Sequence, residues 1–234
     1  MTEKAFHRPI RSFVKREGRL TSAQQKALDT LWPKFGIESD DKIINLTQLF
    51  HRSAPRIIEI GFGNGSALAT IAQQQPESDF IGIEVHRPGV GQLLNHIEAM
   101  RLGNLRVVCG DAVPFLQQRI EDNSLDKVQL FFPDPWHKKR HHKRRIIQPQ
   151  FLELLSRKLT PTGQFHLATD WEDYAVHMLH ELSSSPHFTN CAQRDYIPRP
   201  SSRPLTKFEK RGKDLGHNVW DLLFQNKKQY KNLR

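Results

Sequence analysis

The chain has 234 residues, 37% of them hydrophobic, so it is long enough and apolar enough for one α/β domain with a short extension. No apolar run approaches the roughly 18 residues that a membrane span needs, and the first residues, MTEKAFHRPIRSF, lack the apolar segment of a signal peptide. The two cysteines, Cys109 and Cys191, form no CxxC pair, which is typical of a reducing compartment. We therefore expect a cytoplasmic protein with no membrane partner.

The charge of the chain favours a polyanionic partner, since 35 basic side chains against 25 acidic ones give a formal net charge of +10. The densest cluster, residues 137–145 (HKKRHHKRR), contains six Lys or Arg and three His without an acid. Such a run repels itself unless an anion lies against it. A solvated surface explains any one cluster, but three clusters together favour nucleic acid. The other two are Arg8, Arg11, Lys15, Arg16 and Arg19, and Arg199, Arg203, Lys207, Lys210 and Arg211.

The pattern along the chain divides it into an extension and a main domain. Residues 1–50 contain prolines and glycines but no clear βα unit, so we predict a basic N-terminal arm or cap there and a main domain over residues 51–234. From residue 56 onward, short apolar runs alternate with longer amphipathic stretches, which is typical of a mostly parallel, doubly wound α/β sheet. The predicted strands are residues 56–60, 80–84, 105–109, 127–131 and 164–168, and the predicted helices are residues 66–74, 89–101, 113–119, 149–158 and 171–182.

A final apolar run, residues 218–224, has no crossover helix after it. At the end of a doubly wound sheet, such a run predicts an antiparallel edge or insertion strand near the C-terminus.

An acidic residue stands at or beside the carboxyl end of each of the five predicted parallel strands. Ligands bind at those strand ends in an open α/β sheet. One such carboxylate could be a helix N-cap, which fits Asp170 in part, but five in succession crowd negative charge along one edge. They predict a ligand rich in hydroxyls, amines or positive charge. The five are Glu59, Glu84, Asp111, Asp134 and Asp170.

The first loop, residues 59–65 (EIGFGNG), follows a strand and opens a helix. Its glycines let the backbone turn tightly and approach a ligand closely. A dinucleotide fingerprint would place Gly or Ala at position 66, where Ser66 stands, which argues against NAD. A P-loop is excluded because no Lys followed by Ser or Thr comes after the glycines.

The pattern ExGxGxG, followed by an acid that ends the second strand, resembles motif I of the Rossmann-like S-adenosylmethionine methyltransferases. The resemblance implies a class I methyltransferase fold with S-adenosyl-L-methionine as the cofactor. Glu84 would accept hydrogen bonds from the ribose hydroxyls, Asp111 would take the adenine amino group, and Glu59 would orient the methionine amine or the glycine loop. The implied cofactor-binding residues are Glu59, Gly61, Gly63, Gly65, Glu84, Asp111, Ala112 and Asp134.

The fourth strand ends in residues 131–136 (FFPDPW), immediately before the basic run. Two prolines stiffen this loop and hold Asp134 in a fixed position. The loop resembles in part the Asp/Asn-Pro-Pro-aromatic motif of methyltransferases that act on exocyclic amines of bases, but Trp136 stands in place of the second proline. A nucleic-acid methyltransferase of that kind is the nearer alternative, and a noncatalytic RNA-binding module is the more distant one.

The longer segment FFPDPWHKKRHHKRR resembles the bacterial tRNA (guanine-N7-)-methyltransferase family. Further segments resemble the same family in order along the chain. The resemblance covers most of the chain and implies methyl transfer to N7 of a guanine in tRNA, at position 46 of the variable loop (m7G46). The further segments are residues 11–21 (RSFVKREGRLT), 168–171 (ATDW), 203–209 (RPLTKFE) and 216–220 (GHNVW).

The same resemblance implies roles for individual residues, with Asp134 at the catalytic centre. Carboxylates can accept hydrogen bonds from guanine N1 and N2, and Lys and Arg suit phosphates. Trp136 could stack on a base or pack beneath the loop. The implied substrate-binding residues are Lys138, Asp170, Thr206, Lys207, Phe208 and Glu209, and the implied RNA-binding residues are Arg140, His141, His142, Lys143, Arg144 and Arg145.

Guanine N7 has an unprotonated lone pair at neutral pH, so we expect direct in-line attack without a general base, with catalysis by positioning and charge stabilisation. His137 and His141 are four residues apart, but cations surround them and no third ligand is evident, so we assign no metal. The expected partner is tRNA, and the expected enzyme is a monomer or homodimer.

Overall fold

A seven-stranded sheet lies at the centre of the protein, in a computed structural model that describes residues 12–13, 18–205, 209 and 218–227. The strands are β1 (Arg56–Ile60), β2 (Asp79–Glu84), β3 (Leu105–Cys109), β4 (Leu125–Phe131), β5 (Leu159–Thr169), β6 (Phe188–Asn190) and β7 (Trp220–Asn226). The helices are α1 (Ser22–Phe35), α2 (Leu46–Phe50), α3 (Ser66–Gln74), α4 (Arg87–Ala99), α5 (Ala112–Arg119), α6 (Pro149–Lys158) and α7 (Glu172–Ser184), and a 3₁₀ helix covers Lys139–Arg144.

The strand order is β3-β2-β1-β4-β5-β7-β6, in which the first five strands are parallel. β7 pairs antiparallel with both β5 and β6, so the predicted antiparallel strand near the C-terminus is confirmed. The order reverses between β1 and β4, and ligands of open α/β sheets bind at the carboxyl ends of the strands at such a reversal. The predicted α/β class is also confirmed.

Helices cover both faces of the sheet because its strands are apolar on both sides. Ile57 packs in a cluster with residues of α1, α3 and α4, whereas Ile58 packs in a second cluster with residues of α2, α5, α6 and α7. Successive side chains of a strand point to opposite faces, so the two clusters are the two sides of one layered core.

Residues 18–50 contain two helices, in the part of the chain where the sequence predicts an arm or cap and no clear βα unit. α1 begins with a capping box, in which the side-chain oxygens of Thr21 and Gln24 each accept a hydrogen bond from the backbone N–H of the other residue. This spacing is a helix-start signal that the sequence carries. α1 packs along α4, where a Cβ on Gly91 would lie 2.8 Å from the carbonyl oxygen of Gln24. The boundary at residue 50 between an N-terminal arm or cap and the main domain stays a prediction. α1 and α2, on the N-terminal side of that boundary, pack on the same sheet as the later helices.

The ends of several elements differ from those predicted, and β6 was missed because three residues carry too little pattern. α4 begins at Arg87, two residues before the predicted start, with Pro88 in its first turn, where a missing N–H costs nothing. β5 begins at Leu159 and runs through Pro161 and Gly163, next to an irregularity in its pairing with β4. Within the described ranges, no helix is both long enough and apolar enough to cross a membrane.

We predict that Gly89→Ala destabilises the fold, because a Cβ at Gly89 would lie 2.1 Å from the carbonyl oxygen of Gly63. Overpacking of this kind costs about 1 to 3 kcal/mol, which exceeds the roughly 0.5 to 1 kcal/mol that alanine gains over glycine in a helix. Urea unfolding measures the effect, with Gly103→Ala as the control, since a Cβ there meets nothing within 4 Å. Equal unfolding free energies for the two variants would contradict the prediction.

Candidate active site at the carboxyl ends of the strands

The glycine loop between β1 and α3 has a backbone that only glycine adopts without strain. Gly61, Gly63 and Gly65 have φ values of +76°, +61° and +74°. A Cβ on Gly61 or Gly63 would meet nothing within 4 Å, so at these two positions the loop presents bare backbone. Gly65 differs, because a Cβ there would lie 2.7 Å from Leu93 of α4. The loop is therefore held against α4 and open on its other side.

The carboxylate of Glu84, at the end of β2, ties this loop to the rest of the sheet edge. Its Oε2 accepts a hydrogen bond from the backbone N–H of Gly63 at 2.9 Å. Its Oε1 accepts from the N–H groups of Val85 at 2.7 Å and His86 at 3.0 Å. A carboxylate with two oxygens has about four acceptor positions, so one position remains for a ligand hydroxyl.

A cavity of about 140 Å³ opens between the carboxyl ends of β1, β2, β3 and β4. Five of the predicted cofactor-binding residues line it together. Apolar side chains complete its wall. The sequence does not identify them as site residues, except that some of them lie close to one of the acids along the chain. The five are Gly61, Glu84, Asp111, Ala112 and Asp134, and the added wall includes Phe13, Val85, Leu130 and Ile146.

Glu59 lies in β1, two residues before Gly61 of the cavity wall, with 4% of its surface exposed. Burial, and secondarily the negative charge of Glu84, raises the pKa of its carboxyl to about 8. Its Oε2 has no hydrogen-bond partner among the described residues. A buried carboxyl oxygen without a partner costs free energy unless a donor reaches it, so this atom fits a site that receives an amine.

The second acid of the cavity wall, Asp111, is the N-cap of α5. Its Oδ1 accepts a hydrogen bond from the backbone N–H of Val113 at 3.1 Å. The positive end of the helix stabilises this carboxylate, and its second oxygen is left for a ligand amino group.

The loop after β4 carries Asp134 at the mouth of the cavity. Phe132 and Trp136 both have positive φ, at +51° and +50°, which costs a non-glycine residue conformational energy. The N–H of Phe132 donates to the carbonyl of Ala168 in β5 at 2.7 Å, and the N–H of Trp136 donates to Asp134 Oδ1 at 3.1 Å. The loop thus holds Asp134 exposed to solvent at the end of a fixed turn.

Trp136 packs beneath this loop, as one of its two predicted roles required. Only 8% of its surface is exposed, and its indole N–H donates to the carbonyl of Ser12 at 3.3 Å. The guanidinium of Arg144 lies 4.9 Å from its ring centroid. The ring therefore joins the loop to the N-terminal segment and to the basic run.

The basic run divides into exposed and buried members. Arg140 and Lys143 are exposed, whereas Arg145 has only 3% of its surface exposed. Arg145 donates to the carbonyl of Pro135 at 3.0 Å, forms an ion pair with Asp173 of α7, and lies over the Tyr174 ring at 4.7 Å. The hydrogen bond from Arg145 lowers the pKa of Asp173. Its guanidinium therefore fastens the Asp134 loop to α7.

The predicted substrate residues fall into three groups in the structure. Lys138 is exposed at the start of the 3₁₀ helix, and Asp170 is half-buried directly after β5. Thr206, Lys207 and Phe208 lie outside the described residues.

Glu209 is fully buried in a network of charges. Its carboxylate accepts from Arg203 at 2.7 Å and lies 2.9 Å from Nε of Arg199. Arg203 also donates to Asp221 of β7 at 2.8 Å, and Asp221 lies 3.0 Å from Nε2 of His166 in β5. The guanidinium of Arg203 faces the Phe131 and Phe132 rings of the Asp134 loop. The network thus connects Glu209 to β5, β7 and that loop.

In the part of the chain described, no three His, Cys, Asp or Glu side chains cluster as a metal site would require.

Comparison with known proteins gives matches along most of the chain. A family model described as "Putative methyltransferase" matches residues 53–222. The tRNA (guanine-N(7)-)-methyltransferase of Alcanivorax borkumensis is 58% identical over 221 residues, which cover 94% of this chain and 92% of that protein. The protein of the same name from Photorhabdus laumondii subsp. laumondii is 57% identical over 219 residues, which cover 93% and 92%.

Among solved structures, that of the 16S rRNA methyltransferase KamB matches with a TM-score of 0.60 at 14% identity, over 79% of this chain and 94% of that chain. A likeness at this identity concerns the fold alone, and it confirms the predicted Rossmann-like class I methyltransferase architecture. The family is given by the sequence matches. With more than half of its residues identical to these relatives over nearly its whole length, the chain belongs to the tRNA (guanine-N7-)-methyltransferase family.

Proposed function

We propose that this chain transfers the methyl group of S-adenosyl-L-methionine to N7 of a guanine in tRNA, at position 46 of the variable loop. The observation that carries the proposal is the cavity at the strand ends, where Glu84, Asp111 and Asp134 converge beside a bare glycine loop. The names of the relatives support the same substrate and the same atom.

The residues around the cavity suit each part of the cofactor. The remaining acceptor position of Glu84 would take a ribose hydroxyl, and the second oxygen of Asp111 would take the adenine amino group. The unpartnered Oε2 of Glu59 would face the methionine amine behind the glycine loop. When bound, S-adenosyl-L-methionine supplies a methyl group made electrophilic by its positively charged sulfur.

The reaction needs no proton acceptor, because the lone pair of guanine N7 forms the new bond to carbon while the carbon–sulfur bond breaks. Positive charge moves onto the purine as this happens. Asp134 is exposed at the mouth of the cavity, held by a turn whose geometry is set before substrate arrives. A carboxylate in that place stabilises the developing charge, and the fixed loop keeps the reacting atoms in line.

Two of the predicted nucleic-acid contacts are better explained as positioning residues. Arg145 is buried and already has its partners in Pro135, Asp173 and Tyr174, so we assign it to the Asp134 loop and not to a phosphate. Glu209 is likewise buried and held by Arg203 and Arg199, and we propose that it acts as a positioning residue at the edge of the sheet, through Arg203 and Asp221 of β7.

For the cofactor-free protein, we predict that stability falls between about pH 5 and 8 through Glu59. Its pKa of about 8 in the folded state exceeds the ordinary glutamate value of 4.5, so the folded state binds the proton more tightly. The stabilisation is therefore present at low pH and is lost as the pH rises through 8. The slope for one proton is at most about 1.4 kcal/mol per pH unit.

Urea unfolding from pH 5 to 8.5 tests this prediction, with Glu59→Gln as the variant that keeps the neutral shape. The free energy of unfolding of wild type should fall relative to that of Glu59→Gln as the pH rises. Saturating S-adenosylhomocysteine should reduce the wild-type dependence, because the ligand amine favours the ionised carboxylate. Parallel curves for the two proteins would show that Glu59 does not titrate in this range.

The proposed function predicts 7-methylguanosine in tRNA treated with the enzyme and the cofactor. Nucleoside mass spectrometry identifies the methylated atom, and mapping of the modified position tests the variable loop. Asp134→Asn should slow single-turnover methyl transfer on the order of a hundredfold, since one charge in the site is lost. The affinity for S-adenosylhomocysteine should change much less. A methyl group on an exocyclic amine would contradict the proposal.

The pH dependence of the same reaction distinguishes two possible roles of Asp134, electrostatic stabilisation and general-base catalysis. Without a general base, the wild-type single-turnover rate should stay nearly flat from about pH 6 to 8.5. A rate that rises tenfold per pH unit, or an Asp134→Asn enzyme as fast as wild type, would overturn the role given to Asp134.

The burial of Arg145 predicts different effects for two neighbouring arginines. Arg140→Gln should flatten the slope of log tRNA affinity against log salt by roughly 0.7 to 0.9, because one phosphate contact is lost. Arg145→Gln should leave that slope as in wild type but slow methyl transfer by about tenfold to a hundredfold, since the Asp134 loop loses its fastening. Arg145→Lys should restore part of the rate. A flattened salt slope with an unchanged rate for Arg145→Gln would contradict this assignment and would indicate that Arg145 contacts the RNA backbone.

A further inference from the structure

A wide groove continues from the cavity toward α5 and α6. Its volume is about 860 Å³, and the two spaces share the wall formed by Val85, Gly110, Asp111 and Ile146. The outer part of the groove passes between the first turn of α5 and the body of α6. None of the contacts proposed for the cofactor uses the α6 side of this space, so a second occupant fits there.

The groove is strongly cationic. Arg87, Lys143 and Arg157 line it with exposed side chains, and within the described ranges these side chains form no ion pair. Asp111 is the one acid among the described lining residues, and its carboxylate already caps α5. Three like charges around one open groove repel one another unless an anion lies between them.

The floor of the groove is apolar, and its rim offers amides. Val113 and Pro114 of α5 face Phe151 and Leu154 of α6 across the floor. Gln117 lies at the exposed edge with groups that both donate and accept hydrogen bonds. A chain of alternating phosphates, sugars and bases presents charge at its edge and flat apolar faces beside it, which matches this arrangement.

We propose that this α5–α6 groove binds the backbone of the substrate RNA, as a contact separate from the exposed part of the basic run. Lys143 belongs to both surfaces, so one strand can pass from the 3₁₀ helix into the groove, where Arg87 and Arg157 neutralise further phosphates. The identity of the RNA as tRNA rests on the proposed function.

The test measures tRNA affinity over a range of salt concentrations for Arg87→Gln, Arg157→Gln and the double variant. Each single variant should flatten the slope of log affinity against log salt by roughly 0.7 to 0.9, and the double variant by about twice that. Affinity for S-adenosylhomocysteine, measured by calorimetry on the same proteins, should stay as in wild type.

Lys26→Gln is the matched control, since it removes one exposed charge from α1, on the opposite face of the sheet. It should leave the salt slope unchanged. Unchanged slopes for Arg87→Gln and Arg157→Gln would overturn the proposal, and so would a loss confined to S-adenosylhomocysteine affinity, which would make the groove an extension of the cofactor cavity. Flattened slopes without 7-methylguanosine formation would support the groove while contradicting the proposed function.

Discussion

Three backbone N–H groups converge on the carboxylate of Glu84, two from the turn that follows it and one from Gly63 of the glycine loop. Without this acceptor, the loop would lose one of its hydrogen bonds to β2, while another, from the N–H of Gly61 to the carbonyl of Ile83 at 2.8 Å, would remain. With the loop fixed, Gly89 of α4 packs closely against the Gly63 carbonyl. On the same helix, Gly91 allows the backbone of α1 to pack closely against α4. Since the same carboxylate would also hold the ribose, the shape of the loop and affinity for the cofactor are coupled.

Much of this arrangement could be predicted from sequence because the parallel sheet has a strong local signature. β-branched runs such as RIIEI mark buried strands, and the chain must deliver each strand's carboxyl end to the same edge. That constraint alone brought Glu84, Asp111 and Asp134 to one cavity without any knowledge of side-chain packing. The antiparallel β7 followed from a similar rule, since the sequence predicts no crossover helix after it.

The features that sequence reasoning missed depend on contacts between distant residues. Nothing in HKKRHHKRR distinguishes Arg145 from Arg140, because the charge density around both is the same. The difference comes from the contacts of Arg145 with Pro135, Asp173 and Tyr174, of which the last two lie in α7. The motif predicts that Glu209 contacts guanine, whereas its ion pairs with Arg199 and Arg203 depend on a spatial arrangement that the sequence does not show. α1 is different, because the capping box at Thr21 was a local signal that went unused.

The five acids at the strand ends would repel one another if all were charged, and the structure compensates three of them in different ways. Glu59 is buried and has a pKa of about 8, so at neutral pH it is mostly uncharged until a cation arrives. Glu84 is neutralised by backbone N–H groups, and Asp111 lies at the positive end of α5. Asp134 differs from these three, because it is exposed and accepts only one backbone hydrogen bond in the described residues. On the proposed function, the exposed charge of Asp134 lies where positive charge develops on the purine, whereas the charges of Glu59, Glu84 and Asp111 are compensated within the protein.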